Sequence, residues 1–63
     1  MSENGHDRLL DATEAAEILN VKVSWVREAT RDGRLPCVEL GRYRRYRRKR
    51  LLEWIERQER TSH

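Results

Sequence analysis

Apolar residues recur along this chain in short runs, and the spacing of those runs changes from one to the next. Ala12, Ala15, Ala16 and Leu19 fall at helical intervals with Ile18 beside them, while Glu14 and Glu17 take the polar side. Asp11 stands just before this run and Glu14 three positions after Asp11, which approximates a capping box. The spacing predicts a helix over Ala12 to Leu19, and its paired alanines let a second helix approach closely. Asn20-Val21-Lys22 interrupts the pattern. Asn20 tolerates the left-handed conformation that ends a helix, and Val21 is expected to fill the corner. A second helix is predicted from Val23 to Arg31. Val26, Ala29 and Thr30 face inward, and Ser24, Arg27, Glu28 and Arg31 form an outward stripe at i, i+3, i+4 and i+7.

After Asp32-Gly33 the period shortens. Gly33 is suited to a helix end, and Pro36 blocks further helix. Cys37 to Leu40 alternates as a strand, with Val38 and Leu40 on one face and Glu39 on the other. Gly41-Arg42-Tyr43 reads as a turn and Arg44 to Arg47 as the return strand, with Tyr46 inward and Arg45 and Arg47 outward. The last element is a helix from Arg48 to Gln58, whose apolar stripe is Leu51, Trp54 and Ile55. Trp54 is expected to be the largest single contributor to the core. The class is α+β, mainly α. Residues 1–8 read as a disordered arm, 9–58 as the folded domain and 59–63 as a tail.

The charges change what this pattern means. From Met1 to Gly33 four basic and seven acidic residues leave −3; from Arg34 to Arg50 eight basic and one acidic leave +7; from Leu51 on, two basic and three acidic leave −1. The sum is the net +3, but the positive potential is held in one quarter of the chain. Seven of the nine residues from Arg42 to Arg50 are cationic, with Tyr43 and Tyr46 between them. Such a concentration favours a polyanionic partner.

Size and chemistry narrow the classes. Sixty-three residues support one small domain that buries ~60% of its unfolded surface, with no deep cavity for a large substrate. The single Cys37 excludes an internal disulfide or a cysteine-based metal cluster, and reads as a packed small hydrophobe. His6 and His63 fall in the expected tails. No Ser/His/Asp set, metal spacing or phosphate loop is visible, so neither catalysis nor a cofactor is expected. No apolar run is long enough for a signal peptide or membrane span, which makes a cytoplasmic location the expectation.

Helix, three-residue break and helix is the layout that sets a second helix in a DNA major groove. Arg27 or Arg31 can donate two hydrogen bonds to guanine O6 and N7, and Glu28 can accept from cytosine N4. Ser24, near the helix start, suits a phosphate. Trp25 either packs on the sugar-phosphate backbone or covers the edge of the core. The competing reading of the stripe is a solvated face with internal Arg–Glu pairs. Two strands alone are marginal, so the hairpin must lean on the helices and present Arg42, Arg44, Arg45 and Arg47. A thin arginine-rich tip fits a narrow minor groove; the competing reading is a solvated basic loop. Arg48, Lys49 and Arg50 lie where the helix macrodipole disfavours cations, which suits either a phosphate neighbour or a solvated first turn.

The ordered set Leu9-Leu10, Glu14-Ala15-Ala16-Glu17, Leu19-Asn20-Val21, Val26-Arg27, Asp32-Gly33-Arg34-Leu35-Pro36, Leu40-Gly41, Arg45-Tyr46-Arg47 and Leu51 with Trp54 resembles the excisionase family of small winged helix-turn-helix proteins. These are related to the MerR-type DNA-binding domain. The resemblance implies a two-stranded hairpin wing in the minor groove and a recognition helix in the major groove. It implies an architectural, non-catalytic protein that binds repeated DNA sites cooperatively, bends the duplex and acts with an integrase. Carried over by position, the contact residues are Ser24, Trp25, Arg27, Glu28 and Arg31 on the helix, and Arg42, Tyr43, Arg44, Arg45 and Arg47 in the wing. This chain departs from the family at Lys22, where a Ser or Thr cap is usual, and at Trp25, where a small Thr is usual. A small transcription regulator built on the same fold is the alternative function. A partner-binding module that never touches DNA is the third.

Overall fold

The computed structural model describes residues 8–60. The expected arm up to Asp7 and the tail from Thr61 lie outside the described residues. Three helices and one hairpin follow in the order α1 (Ala12–Leu19), α2 (Val23–Arg31), β1 (Val38–Leu40), β2 (Tyr43–Arg45) and α3 (Arg48–Gln58). This is a mainly helical α+β fold of the winged helix-turn-helix type.

Local chemistry sets each boundary. The Asp11 side chain accepts from the Glu14 N–H at 2.8 Å, and the Glu14 carboxylate accepts from the Asp11 N–H at 3.0 Å, which completes the capping box of α1. Asn20 ends α1 with φ 59 and ψ 48. The N–H of Val21 then donates to the Ala16 carbonyl at 3.1 Å and that of Asn20 to Glu17 at 3.3 Å. The end of α2 repeats the arrangement around Gly33, at φ +76. There Arg34 N–H donates to Ala29 at 2.8 Å and Gly33 N–H to Thr30 at 3.0 Å. These are the paired bonds of a Schellman motif, and they satisfy carbonyls that each helix end would otherwise leave open.

The strands run antiparallel, pairing Val38 with Arg45, Glu39 with Arg44 and Leu40 with Tyr43. The turn is therefore the two residues Gly41-Arg42, and Tyr43 belongs to the strand rather than to the turn expected for it. Gly41 takes φ +63, which a first loop position of this kind requires and only glycine adopts without strain. Tyr46 leaves the hairpin and pairs with Leu10 in an isolated bridge, through Leu10 N–H to Tyr46 O at 2.8 Å and Tyr46 N–H to Leu10 O at 2.9 Å.

The core joins Leu10, Ala15, Ala16, Val26, Ala29, Leu35, Tyr46 and Leu51. Helix α1 contacts both other helices, and its buried alanines sit where the sequence put small residues. Three expectations change. Trp54 is only partly buried, and the largest side chains fully removed from water are Tyr46, Leu51 and Val26. Leu35, which the helical and strand periods left out of the core, is buried. Val21 does not plug the corner but stays exposed, and it is its main-chain N–H that closes the Schellman pair. Among the described residues no helix is long and apolar enough to cross a membrane.

Candidate nucleic-acid interface

Helix α2 carries Ser24, Arg27, Glu28 and Arg31 outward, all exposed, while Val26, Ala29 and Thr30 are buried on the opposite side. Its start is uncapped. Lys22 takes the extended backbone of a cap residue (φ −72, ψ 149) but offers no side-chain hydrogen bond. The first N–H groups of α2 thus lack the acceptor that a Ser or Thr would supply.

An open groove of about 420 Å³ runs between α2, the start of α1 and the wing. Asp11, Ala12 and Thr13 line it from α1, Arg27 and Thr30 from α2, and Arg42, Tyr43, Arg44, Arg45 and Tyr46 from the hairpin. Of the residues expected to touch DNA, the fold brings Arg27, Arg42, Tyr43, Arg44 and Arg45 around this one concavity. Ser24, Glu28 and Arg31 lie on the exposed face of α2 outside its lining. Arg47 is separate as well. It precedes α3 and borders a second groove with Arg50 and Arg57.

The wing arginines are held lightly. Arg44 Nε lies 3.5 Å from a Glu39 carboxylate oxygen across the strands, an exposed pair of the kind that contributes little. Arg45 donates to the Arg44 carbonyl at 2.9 Å, and its guanidinium sits 5.3 Å from the Tyr43 ring centroid. Arg42 makes no ion pair among the described residues. Four guanidinium groups around one groove are thus available to an anion without breaking strong internal pairs.

Tryptophan 25 is half-buried against the core. Its ring meets Trp54 edge-on, with centroids 6.4 Å apart at 62°, and the Arg34 guanidinium lies 5.6 Å from the Trp25 centroid. Trp54 Nε1 donates to the Arg34 carbonyl at 3.0 Å. The ring therefore covers the core edge, one of its two sequence readings, and ties α2 to α3 through Arg34.

Two further contacts escaped the sequence. Arg8, assigned to the arm, donates to Glu14 at 2.9 Å. That bond, with the Asp11 N–H, holds the Glu14 carboxyl below the usual glutamate range, and Glu14 in turn raises Arg8. Thr30 faces inward as its spacing predicts, and its hydroxyl bonds Tyr46 at the base of the wing, a partner the spacing does not indicate. No spacing rule signals either contact, because both join residues from separate elements through side-chain reach.

The chain is 35% identical over 63 residues to the transcriptional repressor DcmR of Methylorubrum extorquens. That similarity covers 97% of this chain and 24% of the repressor, so the chain spans about a quarter of the relative it matches. No solved structure matches the chain. The family model described as a helix-turn-helix domain matches residues 9–59, from the bridge residue's neighbour through the end of α3, and the chain belongs to the helix-turn-helix domain family.

Proposed function

We propose that residues 9–58 bind duplex DNA with α2 in the major groove and the wing in the adjacent minor groove, and that the protein acts as an excisionase. In this role it binds repeated sites cooperatively, bends the DNA and directs an integrase toward excision, with no turnover of its own. The observation that carries the reading is the shared groove, where Arg27 of α2 meets Arg42, Arg44 and Arg45 of the hairpin. A duplex seated against α2 offers phosphates and base edges to both at once. Bending has its own support. Leu40 and Tyr43 face each other at the wing tip, 48% and 57% exposed, and apolar side chains among arginines are the means by which minor-groove binders wedge open base steps.

A second reading, a small transcription regulator, is favoured by the similarity to a repressor. Both readings require the same DNA face, so they separate only by outcome. Titration of the protein against duplex from its own genomic flank should show affinity falling on the order of a hundredfold between about 50 and 200 mM salt. A flat salt response, or equal affinity for every duplex, rejects groove-specific binding. Where an integrase gene lies beside this one, excision of a segment flanked by the two attachment sites, only when the protein is added with that integrase, then supports the first reading. Repression of an adjacent promoter without an effect on excision supports the second.

A further inference from the structure

The second groove shares no lining residue with the first. It is about 290 Å³ and is lined by Pro36, Cys37 and Val38 at the entry to the wing and by Arg47, Arg50 and Arg57 along α3. Arg50 and Arg57 are two turns apart and share one stripe of the helix. Arg50 is held only by Glu53 at 3.7 Å, and Arg47 and Arg57 make no ion pair among the described residues. Pro36, Cys37 and Val38 are all half-buried, so the groove has an apolar floor inside a cationic rim.

From this arrangement we infer that the groove docks an acidic protein segment that inserts one apolar side chain. The floor decides between polyanions. A phosphate backbone satisfies the three guanidinium groups but leaves the apolar floor without a complement. A peptide bearing carboxylates on either side of a leucine-like residue satisfies both, in the core-and-rim arrangement of protein interfaces. The lining shares no residue with the first groove, so the inference does not depend on DNA recognition there.

Cys37, the one thiol in the chain, reports on the floor directly. Its alkylation rate is to be measured at low ionic strength alone, with a blocked glutamate-rich peptide carrying a central leucine, with its serine-for-leucine and lysine-for-glutamate versions, and with duplex DNA. The leucine peptide should slow alkylation severalfold, and added salt should reverse the effect. Arg57→Ala should weaken the peptide about two- to fivefold, the range of one exposed ion pair, with Arg57→Lys recovering part of the loss. Circular dichroism verifies that both variants are folded, and the native-chain salt titration stands without them. Failure of the leucine peptide to protect Cys37 overturns the inference. So does equal protection by the serine version, which reduces the site to bare charge. Protection by DNA, with Arg57→Ala lowering DNA affinity, overturns it in favour of a phosphate site.

Discussion

The hydroxyl of Tyr46 and that of Thr30 lie 2.6 Å apart, both buried, where the base of the wing meets α2. Thr30 Oγ1 also donates to the Val26 carbonyl at 2.8 Å. A threonine hydroxyl has one proton, so Tyr46 is the donor of the pair and Thr30 its acceptor. The bond links the hairpin's exit to the helix that carries Arg27. Tyr46→Phe should lower stability by about 0.5–1.5 kcal/mol, read from the urea midpoint. Tyr46→Ala removes a ring that is 1% exposed, and should cost about 3–5 kcal/mol. That approaches the ~5 kcal/mol at the lower end of whole-domain stabilities, so this variant should lack a cooperative melt. A melt like wild type for Tyr46→Ala would remove Tyr46 from the core.

Acid should loosen the start of α1. The Glu14 carboxyl is depressed first by its hydrogen bond from Arg8 and then by the Asp11 N–H. A depressed carboxyl contributes stability above its unfolded value and loses it as pH falls through the folded one. The melting temperature should therefore decline as pH drops from the ordinary glutamate range downward. Glu14→Gln keeps an acceptor for the Asp11 N–H but loses the ion pair, so its acid slope should be shallower. Identical slopes for the two proteins would contradict the assignment.

Those contacts mark where sequence reading ends. Helix bounds were legible because Asp11, Glu14, Asn20 and Gly33 are local signals, and each acts within a few residues of itself. Depth was not. The period puts Leu51, Trp54 and Ile55 on one face of α3, but it does not say that Leu51 is fully buried while Trp54 is only partly covered. The loop length was not legible either: Gly41 alone supplies the positive φ, and the two-residue turn Gly41-Arg42 leaves Tyr43 to pair with Leu40 in the strand. The basic cluster was plain in the sequence. Its division into two grooves, with Arg42, Arg44 and Arg45 in one and Arg47 and Arg50 in the other, depends on the break in the chain at Tyr46.

Helix α2 can be strengthened at the residue that precedes it. Lys22 has the backbone of a cap without an acceptor. Lys22→Ser should raise stability by about 0.5–1 kcal/mol, measured by thermal or urea unfolding. No gain would mean that another group already satisfies the N–H groups there.

If DNA occupies the first groove as proposed, its two halves should respond differently. Arg27→Ala should relax preference at one base pair, a loss of about 1–3 kcal/mol in discrimination. Arg44→Ala or Arg45→Ala should weaken every duplex alike and reduce the salt slope by about one. Binding isotherms on the preferred site and on single-base variants test both. Unchanged preference after Arg27→Ala would displace α2 from the major groove.

The wing tip should govern shape more than affinity. Leu40→Ser keeps the hairpin register but removes half of the exposed apolar pair with Tyr43. The end-to-end distance of a doubly labelled duplex should lengthen on Leu40→Ser substitution as the bend relaxes. An unaltered distance would assign bending to another part of the protein.

Leu10 meets Tyr46 across 36 positions of chain (46 minus 10), a long closure for so short a molecule. Long closures are entropically late, whereas α1 and α2 adjoin in sequence and can associate first. The clasp therefore snaps shut as one of the final assembly steps. Weakening it at Leu10 should hasten escape from the native state while leaving the speed of refolding nearly untouched. The seating of the hairpin's exit on Leu10, rather than the hairpin itself, is thus the last contact set and the first released.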